Sequence, residues 1–508
     1  MEPYLNAKKP LSLVMAIPDH PWTKVTRDSA AVRIAMTVAE AGKHDGLLME
    51  VTAEEGVDTD SPVTLFDETR GRINSDLTVG VDLTTVSELV ANTGIGHDGV
   101  KLHGDGFIVS PQLAEHLGLG RVEGLAQFIR PYRNGRDIAH RSRGEMVIDL
   151  FGLDQDQVRS QFPNVYQHLL TTVKPIRDQN NRASYRDYWW LFGEPRREMR
   201  PALKDIRKYI ATVDTARHRV FQFLSIDIVC VDKIVIIASD NPFILGTLSS
   251  QVHVAWAQRA GGWLGVGNDS VYTKTRTFDP FPFPAATDEQ QVAIGAIAEE
   301  LDAHRKRVLE AHPHLTLTGL YNVLERLKAG ARPDDLDDKE RRIFDDGLVL
   351  ILKELHERLD VAVAEAYGWP VDLPEEEVLA RLVALNTERA KEEKRGLVRW
   401  LRPEYQIPRF GSEKEKAKQL EADLGGAAEV AIPGAKPAFP SGDAEQTAFV
   451  LNALVEAGAA LNAADIAARF KQGQKVRPAV TSVLASLYRI GLISTADGGK
   501  TFAWRRAA

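Results

Sequence analysis

Hydrophobic and polar positions follow several rhythms along this 508-residue chain. Near the N-terminus, Leu11–Ile17, Ala30–Val38 and Leu47–Val51 are short apolar runs that predict strands of a hairpin or meander. Such a hairpin is marginal alone and needs a sheet to join. Between 56 and 150, glycine-rich turns separate short strands, the last at Val147–Phe151. Residues 154–172 predict a helix, Arg196–Tyr209 a basic helix and Cys230–Ala238 a strand. In the stretch 239–284 a short loop leads to a helix over 247–260, with Leu248, Val252, Ala255 and Trp256 on one face. Gly261-Gly262 caps it. Val271–Phe278 alternates β-branched and aromatic residues as a half-buried strand does. The prolines of Pro280–Pro284 then fix φ and remove donors, so that piece is extended but not a central strand.

The periodicity lengthens after Pro284. Residues 288–330 and 339–400 read as charged helices. One helix opens at Asp338, carries Ile343, Leu348, Leu352, Leu355 and Leu359 on its apolar face, and stops at Gly368 and Pro370. A second runs from Pro374 to Lys394. Residues 411–442, rich in Ala, Gly, Pro, Lys and Glu, read as a linker. Helices at about 444–457, 463–470 and 475–490 then precede a hairpin, Leu492–Thr495 with Thr501–Trp504, turned by Asp497-Gly498-Gly499. Three helices and a hairpin make a winged-helix pattern. On its third helix Val476, Val480, Val483, Leu484 and Leu487 face inward. Arg477, Thr481, Ser482 and Arg489 stay exposed, as a groove-reading helix requires. Winged helices also dock proteins.

The fold class is therefore α+β and multidomain. Residues 1–150 form a β-rich part, 151–287 an α/β domain, 288–410 a helical part, 411–442 a linker and 443–508 the winged-helix-like domain. The single cysteine, Cys230, excludes a disulfide framework and fits a reducing cytoplasm. No apolar run is long enough to span a membrane. The net charge of −8 argues against a protein that coats nucleic acid, but the charge is uneven. From Lys174 to Pro284, sixteen Lys/Arg stand against eleven Asp/Glu. From Ser441 to Ala508 there are eight against five. Basic segments in an acidic chain are what local phosphate contact requires, and uneven solvated surface is the plainer alternative.

Several stretches resemble chemical motifs only in part. Gly94-Ile95-Gly96 and Gly104-Asp105-Gly106 lack the strand–turn–helix setting of a phosphate loop. Asp240-Asn241-Pro242-Phe243 superficially matches the motif that holds a target amine in amino-methyltransferases, but lacks its second proline. Pro333-Asp334-Asp335 with Lys339 and Glu340 is too compact for a nuclease centre and reads as helix capping. No residue is assigned to catalysis or to a metal.

The stretch 239–284 resembles the target recognition domain of MmeI-like type IIG DNA methyltransferases. The resemblance rests on Leu248-Ser249-Ser250, His253, Trp256, Tyr272, Lys274 and Phe278 through Pro284. It extends to Arg130–Asp137, Val147–Phe151 and the run Gly396–Tyr405, and so to roughly residues 10–405. It implies an adenine-N6-directed enzyme of restriction-modification or phage-defence type, with double-stranded DNA as partner. It also implies that the first strands are the tail of a methyltransferase domain. S-adenosylmethionine would then bind a separate N-terminal methyltransferase subunit, with no cofactor on this chain, which alone would be inactive. The expected DNA contacts are Arg196, Arg197, Lys204, Lys208, Arg217, Arg219, His253, Arg259, Tyr272, Lys274 and Arg276, with Arg477 and Thr481 on the C-terminal domain. His253 is read either as a base reader or as a satisfied structural histidine; Trp189, Trp190, Trp256 and Phe281 are read as core. The reading from a different class is a non-enzymatic, transcription-regulator-like protein built on the winged helix.

Overall fold

A computed structural model describes residues 2–5, 7–22, 32–56, 63–264, 269–425, 438–440, 442–457, 460–489 and 492–504. The fold is α+β, with several small sheets and a helical C-terminal region. Two compact units divide the chain, Met1–Arg402 and Pro403–Ala508.

The first unit begins with a four-stranded sheet of β1 (Leu11–Pro21), β2 (Arg33–Ala41), β3 (Gly46–Glu55) and β4 (Val63–Gly71), in the order β2-β1-β3-β4. β1 pairs antiparallel with β2 and parallel with β3, and β3 pairs antiparallel with β4. Leu13, Ala16, Leu48 and Ile73 form its small core. Arg33 on β2 reaches Asp19 and Glu54, each at 2.6 Å, and so ties three strands. The expected hairpin thus finds a sheet within residues 11–71. Its second strand starts at Arg33; Ala30 and Ala31 lie outside the described residues. β4 escaped the sequence pattern because only its first half is apolar.

Two further four-stranded sheets follow. One has the order β11-β9-β13-β5, from Gln222–Ser225, Lys208–Val213, Ile234–Ile237 and Gly96–Asp98. The other is β12-β7-β8-β6, from Val229–Cys230, Ile129–Arg133, Met146–Ile148 and Ile108–Val109. One core unites them, with Phe107, Val147, Leu169, Trp189, Trp190 and Ile236 inside it. Arg177 is buried there, with burial pulling its pKa down to about 10. It donates to the carbonyls of His103, Leu102 and Leu191 and so ties these backbone segments together.

Several expected elements differ. The helix at 154–172 is two helices, Gln155–Gln161 and Pro163–Thr172, because Pro163 cannot continue the first. The basic helix Arg196–Tyr209 is a single turn, Met199–Leu203; Arg196 and Asp205 take positive φ and Lys208 opens β9. The strand Cys230–Ala238 is broken by a turn between β12 and β13.

The stretch 239–284 is more helical than its pattern. Asn241 caps a helix Pro242–Ser249, with Pro242 at its first position, and a second helix runs Gln251–Gly261. The expected strand Val271–Phe278 ends at Val271: β15 is Asp269–Val271, and Lys274–Phe278 is a π-helical turn. There Trp256 Nε1 and Thr277 Oγ1 donate to the Thr277 and Thr273 carbonyls, a demand that alternation cannot reveal. β15 sits between β10 (Thr215–Ala216) and β14 (Trp263–Leu264). The helix Asp288–Ala311 packs on Pro242–Ser249 so closely that a Cβ on Gly246 would stand 2.5 Å from Ile294. The helix expected from Asp338 is two, Asp338–Asp346 and Val349–Tyr367. Leu348, expected inside, takes φ 46° and is exposed.

In the second unit, residues 413–425 of the expected linker are a helix, rich in the strong helix formers Glu, Lys and Ala; residues 426–437 lie outside the described residues. Helices Asp443–Ala457, Ala463–Ala467 and Arg477–Arg489 follow, then β16 (Ile493–Ser494) antiparallel to β17 (Ala503–Trp504). Ile490, the end of the expected third helix, also lies outside the described residues. Val450, Leu454, Ile466, Val480, Leu484 and Leu487 form this unit's own core.

Candidate nucleic-acid interface

Three expected DNA contacts are internal, which corrects that expectation. Arg219 is 6% exposed, Tyr272 1% and His253 0%, so none offers a surface to a duplex. They form one cluster. Arg219 donates to the carbonyls of Val213 and Ser270, and its guanidinium lies 5.1 Å from the centre of the Tyr272 ring. His253 Nε2 lies 3.0 Å from the Tyr272 hydroxyl, and its ring packs on Phe281 at 4.3 Å. Burial, with the Arg219 charge adding, pushes His253 down to about 3, so the imidazole is neutral. Arg219 is pulled down to about 10 by burial. The cluster clamps β10 and β15 onto helix Gln251–Gly261.

Four others are tied to protein partners. Arg196 Nε donates to the Gly99 carbonyl at 2.9 Å and Arg196 Nη1 pairs with Glu194 at 3.0 Å. Lys208 pairs with Glu299 at 2.9 Å and lies over the Phe223 ring. Arg259 donates to the Val79 carbonyl. Lys274 pairs with Asp279 at 3.1 Å. The π-helical turn sets this pair beside the sheet edge β5. There burial, with the charges of Lys274 and Arg196 adding, lowers His97 to about 4.

The remaining four, Arg197, Lys204, Arg217 and Arg276, are exposed, and their side chains bond to nothing among the described residues. Arg136, in the Arg130–Asp137 element, shares that state, and so does Arg207, which was not singled out from the sequence; only the want of a bonded partner marks them, and that is a tertiary fact. Arg136 and Arg217 line one cleft of about 410 Å³, with Lys233, His218, Asp214 and Asp269. Lys233 is held by Asp214 at 3.1 Å, and His218 lies between Glu325 and Asn322 at 3.0 and 2.7 Å. Because β10 pairs with β15 through Ala216 and Ser270, Arg217 and Asp269 are carried to one end of that ladder. The cleft thus presents unbonded guanidinium donors beside carboxylate acceptors, the groups that meet phosphates and base edges.

The motifs set aside from the sequence have structural work. Asn241 Oδ1 accepts the Phe243 N–H at 2.9 Å as a helix cap. Asp337 caps Asp338–Asp346 through the Glu340 N–H, and Asp335 pairs with Arg332. In the second unit Arg477 and Thr481 are exposed on one helix, and the Thr481 hydroxyl donates to the Arg477 carbonyl.

Residues 96–285 match the sequence profile described as "MmeI, target recognition domain". The fold is similar to that of the type IIL restriction-modification enzyme MmeI, solved in complex with DNA. The TM-score is 0.56 at 18% identity, over 75% of this chain and 46% of that one. The present chain therefore spans about half the length of that enzyme. No curated protein matches the sequence.

Proposed function

We propose that this chain reads a DNA sequence for a restriction-modification methyltransferase directed at adenine N6, with residues 96–285 as the reading domain. The observation that carries this reading is the match of those residues to a target recognition domain. The exposed, unpaired arginines of the same region support it, since phosphate contact requires cations not already spent on protein carboxylates. Arg217 and Arg136 are the foremost candidates, through the cleft they share with Asp269. Arg197, Lys204, Arg207 and Arg276 supply further phosphate contacts from the same region of the chain.

Methyl transfer belongs, in this reading, to a separate methyltransferase part that holds S-adenosylmethionine and takes up the N-terminal sheet. β2 and β4 are edge strands nine residues long, each unpaired on one side among the described residues. Exposed Val38, Val63 and Leu65 lie on them. Such edges invite strand addition or cover by a partner. No described helix is long and apolar enough to cross a membrane, and the cytoplasm, where DNA is, is the proposed location.

The test is methyl transfer from labelled S-adenosylmethionine to duplex DNA. Labelled N6-methyladenine is expected when the chain is mixed with the methyltransferase part, and none from the chain alone. Transfer by this chain unaided would overturn the division of labour.

A further inference from the structure

We infer that the C-terminal unit is a second, sequence-independent binding surface for duplex DNA, separate from the recognition region. Charge is segregated within it. From Ile466 to Ala508 the chain carries eight Lys/Arg and one Asp/Glu; the acidic residues of this domain otherwise lie before Ile466. The lone acid, Asp497, is engaged by its own turn. It accepts from the Lys500 and Thr501 N–H groups and from the Thr495 and Thr501 hydroxyls, at 2.7 to 3.0 Å. Those bonds lower its pKa to about 2.

The helix Arg477–Arg489 gives this charge a shape. Val480, Val483, Leu484 and Leu487 are buried against the rest of the unit. The opposite stripe, Arg477, Thr481, Ala485, Tyr488 and Arg489, is exposed and holds no carboxylate. Tyr488 leans on Phe502 of the hairpin at 6.1 Å, and the Leu492 N–H bonds the Leu487 carbonyl, so the hairpin stands at the end of this helix. The hairpin turn presents Lys500 outward. A major groove admits one helix, and a basic hairpin beside it then meets the flanking backbone. A stripe whose charges are all positive complements a polyanion. The exposed donors are mostly long cations suited to phosphate, so the expected binding follows backbone charge and not base order.

The experiment uses the full chain and a long random-sequence duplex, with affinity measured between about 50 and 200 mM salt. Arg477→Gln, Arg489→Gln and Lys500→Gln are combined. All three positions are exposed, and an unchanged melting temperature checks the fold. The expected result is a salt slope shallower by about 2 to 3 and an affinity loss equal for every sequence tried. An unchanged slope and affinity would overturn the inference and leave this face to an acidic protein. Arg217→Gln with Arg276→Gln, measured in parallel, keeps the two surfaces distinct. If only that pair weakens binding, the inference fails while the recognition reading stands. If only the C-terminal triple does, the reverse holds.

Discussion

His253 Nε2 lies 3.0 Å from the Tyr272 hydroxyl, inside a cluster closed by Phe221, Phe281 and Arg219. This contact joins the helix Gln251–Gly261 to the residue that follows β15, and makes the polar residues of the 239–284 stretch part of the core. Tyr272→Phe removes one buried hydrogen bond and should cost about 1 kcal/mol. Arg219→Met strands the carbonyls of Val213 and Ser270 and should cost about 3 kcal/mol or more. Urea unfolding measures both. Normal stability with lost DNA binding would instead place these side chains at the interface.

Acid should unfold the first unit early. His253 and His356 are each pushed down to about 3, chiefly by burial. An unfolded histidine titrates near 6.5, so on acidification the unfolded state takes up protons first. Stability is complete above about pH 6.5 and falls towards pH 3, by about 1.4 kcal/mol per pH unit for each histidine. His253→Gln should lower stability at pH 7 yet flatten its dependence between pH 6 and 4 by about one proton. An unchanged slope would mean that His253 protonates freely in the fold.

The free arginines and the tied cations should separate in DNA binding. Arg217→Gln with Arg276→Gln should weaken duplex binding by about tenfold and reduce the salt slope by about 2, with stability changed by less than about 0.5 kcal/mol. Arg196→Gln should act mainly on stability, because it leaves Glu194 short of a partner and the Gly99 carbonyl short of a donor. Anisotropy titrations beside melting curves decide this. Equal binding losses at both sites would remove the distinction.

The chain's rhythm revealed its elements where one face is buried and the other wet. Leu11–Ile17, the helix Asp288–Ala311 and the inward stripe Val480, Val483, Leu484 and Leu487 are of this kind. It failed where burial surrounds the element. Pro242–Ser249 is buried along nearly its whole length, so it has no periodicity, and its proline read as loop. It also failed at Lys274–Phe278, where β-branched residues that suit a strand are wound by bonds to Trp256 and Thr273. At the candidate site the residue types were visible: Arg217 and Arg276 are as exposed as cations usually are. Arg219 was not legible, since its carbonyl partners come from segments up to 51 positions away.

Hydrogen exchange should resolve the N-terminal sheet. β1, bonded on both sides, should exchange slowly in the isolated chain, and β2 and β4 faster. Adding the methyltransferase part should slow an edge strand. Fast exchange across β1 itself would mean that the sheet does not hold alone.

Sequence reading by residues 96–285 can be measured by selection from a pool of random duplexes. The full chain is used to capture DNA over several rounds and the bound pool is sequenced, beside the Arg217→Gln, Arg276→Gln variant. The prediction is one enriched motif for the unaltered chain, lost or relaxed at defined positions in the variant. A bound pool as random as the input, from a chain that nevertheless binds DNA, would contradict it.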